Sequence, residues 1–150
     1  MLEPAIQILN DHQQMAISTV RPDGWPQTTI VGYANDGWTL YFLIFRASQK
    51  FTNIASDDRV SIAVAAESSF LGEIKAVYAG AHATEVTDPD ERARAWQLMM
   101  ERHPNLADFG LPDDTDTALM RARCKHVSVL DYSKGIGHAE TLIVDEDVPR

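Results

Sequence analysis

Arg46, Ser48 and Lys50 place two cations and a hydroxyl within five residues of one another. The run before them, Trp38 to Phe45, is aromatic and aliphatic on both alternating faces, which suits a strand covered on both sides. After them Phe51, Ile54 and Ala55 recur at helical spacing. Ser48 is a good helix N-cap, which puts Lys50 in the first turn. A buried strand therefore delivers a turn and then a helix start. The first amides of a helix lack backbone acceptors, and the helix dipole favours negative charge there. A phosphate is the natural guest of such a site. The same three residues also suit a plainer task, capping a helix and solvating a turn.

The whole chain sets limits on that guest. Its 150 residues suggest a single domain over 1–150, and 45% apolar content suits a globular core. The net charge is −9, from 13 basic and 22 acidic residues. Such a field argues against nucleic acid or an anionic membrane as the main partner. A phosphate would need a local basic pocket. Cys124 is the sole cysteine, so no internal disulfide forms and a reducing compartment is expected. No apolar run reaches the ~20 residues of a membrane span. The N-terminus lacks the pattern of a signal peptide, so a soluble cytoplasmic protein is expected.

The elements that would position the site follow in order. Pro4 to His12 reads as a short helix. Met15 to Arg21, Gln27 to Ala34 and the central strand read as a meander turned at Pro22-Asp23-Gly24 and Asn35-Asp36-Gly37. After the helix near Lys50 to Ala55 come strands at Val60 to Ala66 and Glu73 to Thr87. Asp88, Pro89 and Glu91 start the longest helix, with Glu91 at the capping-box position. Its apolar stripe reads as Ala93, Trp96, Met100 and His103. Leu106 to Asp116 reads as irregular, and Thr117 to Arg121 as a helical turn. Arg123 to Tyr132 is a sixth strand, with Cys124, His126, Ser128 and Leu130 on one face. Thr141 to Val144 suits an added edge strand, and the acidic last residues are expected to fray. The sum is mainly β with peripheral helices: a six-stranded antiparallel Greek-key split barrel.

Four linked features carry a resemblance. They are Met15 to Val20 followed by Pro22-Asp23-Gly24-Trp25-Pro26, then Gln27 to Val31, then Leu40 to Leu43, then Ser48-x-Lys50-x-x-Asn53-Ile54. Asp58-Arg59-Val60-Ser61 follows. Over roughly Gln13 to Val86 the sequence resembles the pyridoxamine 5′-phosphate oxidase-like, FMN-binding split-barrel superfamily. The resemblance implies a homodimer with FMN between two barrels. It implies that the second strand, at Thr28, Thr29, Ile30 and Val31, lies against the flavin ring. It implies that Ile44, Phe45, Arg46, Ser48, Gln49 and Lys50 hold the phosphate, Lys50 foremost. Two departures stand out. Gln49 replaces the arginine that the vitamin oxidases carry before the lysine, and Ile44 replaces a common threonine. The oxidases' C-terminal Arg-x-His motif is also not evident, which argues against vitamin oxidase activity itself.

No other constellation competes. The five histidines lack metal-ligand spacing. His138, between glycines and Glu140, reads as a loop residue with some capacity to touch a ligand. No serine lies in a nucleophile elbow, and no acid, base or nucleophile is singled out as catalytic. The expectation is a flavin (FMN)-dependent oxidoreductase of a small-molecule substrate. The alternative is a non-catalytic dimer that binds or senses flavin, haem or deazaflavin on the same fold.

Overall fold

The computed structural model describes residues 2–66, 68–109 and 114–144. Helix α1 (Leu2–Asn10) leads into strands β1 (Gln14–Val20), β2 (Pro26–Asp36) and β3 (Thr39–Phe45). Helix α2 (Gln49–Ser56) then crosses to β4 (Arg59–Ala65) and β5 (Lys75–Glu85). Helix α3 (Pro89–Arg102), β6 (Thr117–Asp131) and β7 (Ala139–Ile143) complete the order. Gly24 and Gly37, at φ of 91° and 58°, make the two meander turns in a region closed to most side chains. Among the described residues no helix is long and apolar enough to cross a membrane. The acidic residues 145–150 lie outside the described residues.

All strand pairs are antiparallel, in the order β3-β2-β1-β4-β5-β6-β7. Strand β3 also pairs with β6, which closes six strands into a barrel and leaves β7 outside it. The expected split barrel is what forms. Its interior holds Met15, Ile17, Tyr33, Leu40, Phe42, Ile62, Val64, Val77 and Met120. Helix α1 plugs one end through Ala5 and Leu9, where the Tyr33 hydroxyl donates to the Leu9 carbonyl at 2.6 Å.

Strand β6 corrects two expectations. Thr117 to Arg121 is not a helical turn but its first third, paired with Phe45 to Tyr41. The barrel covers this segment on one side and α3 on the other, so Thr117 to Met120 are all buried and the alternation that marks a strand vanishes. Further on, Gly80 faces His126 while Ala81 faces Cys124, so Lys125 is an extra residue in a β-bulge. The bulge swaps faces. Ala118, Met120, Ala122 and Cys124 point inward before it, and Val127 and Val129 after it. Cys124 therefore does not share a face with His126 and Ser128. Burial alone pushes its thiol up to about 12, so it is an inert core group.

Helix α3 carries a second correction. Its buried face is Ala95 and Met99, flanked by Trp96 and Leu98, packed on Ala34, Tyr41 and Leu119. Ala93 is exposed and Met100 is 42% exposed. Charged side chains on the inner face conceal the stripe by burying their stems. The Glu91 carboxylate accepts from the Tyr41 hydroxyl at 2.9 Å and pairs with Arg121. Arg102 donates to the carbonyls of Leu9 and His12 and to Asn35 Oδ1. Asp88 caps as expected, accepting from the Glu91 amide at 2.9 Å.

The bulge is testable. Deleting Lys125 removes the surplus residue and joins Cys124 to His126, which leaves a regular strand with Ala118, Met120, Ala122, Cys124, Val127 and Val129 all still inward. In urea unfolding the deletion is expected to keep a cooperative transition, and Lys125→Ala is expected to stay within about 0.5 kcal/mol of the wild type. Loss of the cooperative transition on deletion would show that Lys125 is not the surplus residue.

Candidate functional site

The end of β3 and the start of α2 form the candidate anion cradle. Ser48, with φ −76° and ψ 153°, is the N-cap of α2. Its hydroxyl accepts from the Phe51 amide at 3.3 Å and donates to the Phe45 carbonyl at 2.6 Å. The amides of Gln49 and Lys50 head the helix, where no helical acceptor reaches them. No acidic residue occupies this first turn. Lys50 is half-buried, and none of the ion pairs or side-chain hydrogen bonds among the described residues involves it. The cradle thus carries uncompensated positive potential on an open shelf of the chain.

Arg46 is engaged elsewhere. Its guanidinium makes a two-pronged ion pair with Glu85, at 2.7 and 2.8 Å, and its Nε donates to the Asp114 carbonyl at 2.7 Å. It also sits 5.6 Å from the centre of the Phe51 ring. Gln49 turns inward to Asn53 at 2.8 Å. Among the described residues, Lys50 alone of the cradle's long polar side chains has no protein partner. Ile44 is a core residue, and Phe45 is 69% exposed at the rim.

The four β2 residues lie at the split. Strand β2 pairs with β1 over residues 26–32, but with β3 only over Tyr33 to Asp36. Among the described residues the flank of Pro26 to Gly32 that faces β3 therefore has no strand partner, and backbone donors and acceptors alternate there. Thr28 and Ile30 face out, Ile30 64% exposed. Thr29 and Val31 are half-buried on the other face. The buried Thr29 hydroxyl oxygen has no hydrogen-bond partner. Where β2 and β3 part, a cavity of about 450 Å³ opens between Gly32, Leu43, Met99, His103 and Leu106. A cavity of about 740 Å³ lies on the outer face of β4 to β7, at Tyr78, Gly80, His126 and Ile143. Lys50 lines neither of these two.

Residues 2–131 match the pyridoxamine 5′-phosphate oxidase family. This chain belongs to that family. No curated protein matches its sequence. Among solved structures it is similar to a haem-binding protein from Mycobacterium smegmatis, at 20% identity and a TM-score of 0.78. That match covers 93% of this chain and 57% of the other, so the chain spans little more than half the length of that relative. It is similar to the haem storage protein of Vibrio cholerae, at 21% identity and 0.68, covering 83% and 90% of the two chains. It is also similar to a FAD-binding protein from Mesorhizobium loti, at 20% identity and 0.68, covering 86% and 93%. At these identities the likeness establishes the fold.

The remaining candidates are placed as follows. His138 sits 3.5 Å from Glu140, and His82 sits 3.0 Å from Asp58. His103 bonds the Tyr33 carbonyl at 2.8 Å and packs under Gly32, where an added Cβ would meet its ring at 3.1 Å. Among the described residues no three His, Cys, Asp or Glu side chains converge on a metal position. Gln27 and Asn53, which the resemblance quotes without giving either a role, join α2 to β2. The one signal for them was an asparagine at a helix position facing the barrel.

The Arg46–Glu85 pair has a pH signature. The Arg46 guanidinium holds the Glu85 carboxyl below its ordinary 4.5. A depressed carboxyl contributes stability that is present above the unfolded value and lost as pH falls through the folded one. Urea midpoints of the wild type are expected to fall below pH 4.5 more steeply than those of Glu85→Gln. At pH 7 Glu85→Gln is expected to be the less stable of the two.

Proposed function

We propose that this protein binds FMN with its phosphate on the first turn of α2, and acts as an FMN-dependent oxidoreductase on a small-molecule substrate. The observation that carries this reading is the pairing of an unneutralised Lys50 at a helix start with an unpaired strand flank at Thr28 to Val31. A phosphate matches the first. The ring edge of a flavin, with alternating donors and acceptors, matches the second, and the orphaned Thr29 hydroxyl adds one more polar group. FMN, when bound, supplies one- and two-electron transfer; the protein supplies orientation and electrostatics. Lys50 and the Gln49 and Lys50 amides hold the phosphate. Ser48 fixes the turn that aims them. The β2 amides oppose negative charge on a reduced ring. The cavity beside Gly32 and Leu43 is within the usual size range for a small-molecule site.

The open shelf around Lys50 is best closed by a second copy of the chain. Thr28, Ser18, Ser61, Gly80, His126 and Ile143 form one row across six neighbouring strands. Ile30, Ala16, Ala63, Tyr78, Ser128 and Thr141 form the next. Neither row contains Asp, Glu, Lys or Arg, although 23% of the chain is charged. Depletion of charge marks the core of a protein interface, and like rows can face like rows about a two-fold axis. Thr28 and Ile30 belong to both this face and the proposed ring platform, so a homodimer would complete the site. The buried lone cysteine suits a cytoplasmic setting.

A second reading is haem binding without turnover, favoured by the names of two structural relatives. An absorption spectrum separates the two readings. The chain as purified, or after titration with FMN, is expected to show the two flavin bands and not a Soret band. Lys50→Ala is expected to weaken FMN binding about 10- to 100-fold, the worth of a charge-assisted phosphate contact. Wild-type protein indifferent to FMN would defeat the reading.

The dimer has its own check. Ala63→Glu places a carboxylate in the middle of the uncharged face. Sedimentation is expected to show a dimeric wild type and a monomeric variant, with FMN affinity lost alongside.

A further inference from the structure

Asn53 is wholly buried, yet its carboxamide serves three elements. Its Oδ1 accepts from Gln49 Nε2 at 2.8 Å, within the first turn of its own helix. Its Nδ2 donates to Thr19 Oγ1 at 3.0 Å on β1 and to Gln27 Oε1 at 3.1 Å on β2. Thr19 is itself 2% exposed. Asparagine is a poor helix former, and a leucine there would pack against the barrel without needing partners. The polar residue has a different use. One end of the relay is Gln49, next to Lys50. The other is Gln27, next to Thr28. The relay thus spans the gap between the cradle and the unpaired flank, where β2 and β3 no longer hold each other.

We infer that Asn53 is a positioning residue that fixes the anion cradle at a set distance from the β2 flank, so that the site favours a ligand with a phosphate at that reach. This rests on the FMN reading. It also accounts for Gln49, whose side chain is consumed by the relay and does not itself extend to the ligand. Loosening the relay lets α2's first turn drift relative to β2. A phosphate-bearing ligand then loses one of its two anchors, while a ligand that uses the flank alone loses little.

The test compares FMN with riboflavin, which lacks the phosphate, by fluorescence titration of the full chain. Wild type is expected to prefer FMN. Asn53→Leu, checked for fold by circular dichroism, is expected to cut that preference about tenfold or more, with riboflavin affinity held within about threefold. Gln27→Leu breaks only the β2 link at a half-exposed position and is expected to act in the same direction, which covers the case of a misfolded Asn53→Leu. Combining Asn53→Leu with Lys50→Ala should cost no more preference than Lys50→Ala alone, because the two act on one anchor. An undiminished preference in a folded Asn53→Leu or Gln27→Leu protein overturns the inference and leaves the FMN reading standing. Wild type without any preference defeats the FMN reading instead. Amide hydrogen exchange in ligand-free protein then decides the tether. Faster exchange at Lys50 and Phe51 in either variant, with β1 and β4 amides unchanged, supports it, and equal exchange overturns it.

Discussion

One strand has more neighbours than two edges usually allow, and the architecture turns on that. Strand β6 keeps β5 from Met120 to Asp131 and divides its other edge between β3 and β7. The division falls at Lys125, where the extra residue lets both halves keep apolar side chains inward despite the change of partner. Because β3 is held by β6, it does not need β2 along its full length. The parting of β2 from β3 is the direct result, and the candidate site lies at that parting. A regular, fully paired barrel would have no unpaired flank to offer.

Electrostatics then narrows the site to one cation. Arg46 looks like the stronger anion ligand, since a guanidinium can grip a phosphate with two bonds. Glu85 takes those two bonds first. That pair holds the end of β3 against β5, so the turn that bears Ser48 leaves a fixed point. The chain's net charge of −9 makes the local arrangement matter more. An acidic protein attracts a phosphate only where its own carboxylates are absent or neutralised, and the first turn of α2 meets that condition.

Much of this was legible from residue patterns. The meander, its two glycine turns, the helix after Ser48 and the cap at Asp88 rest on local chemistry, and local chemistry survives folding. What could not be read depends on contacts distant in sequence. Thr117 to Met120 lack alternation because α3 covers the strand's outer face, and no window of sequence contains both elements. The inversion after Cys124 needs the partner strand to reveal that Lys125 is surplus. The true stripe of α3 is masked by Glu91 and Arg102, whose inward bonds go to Tyr41, Arg121 and the carbonyls near α1. The cradle was legible as a set of residues, but not that Arg46 would be claimed by a carboxylate 39 positions away.

The bare flank of β2 has a bearing on how the polypeptide fares in a crowded solution. Exposed ladder groups invite a foreign strand to dock and can seed fibrous stacking. Pro26, with no amide hydrogen, blunts only one end of the stretch. Anything seated along the remainder also denies it to stray chains, which ties solubility to how well this flank is covered.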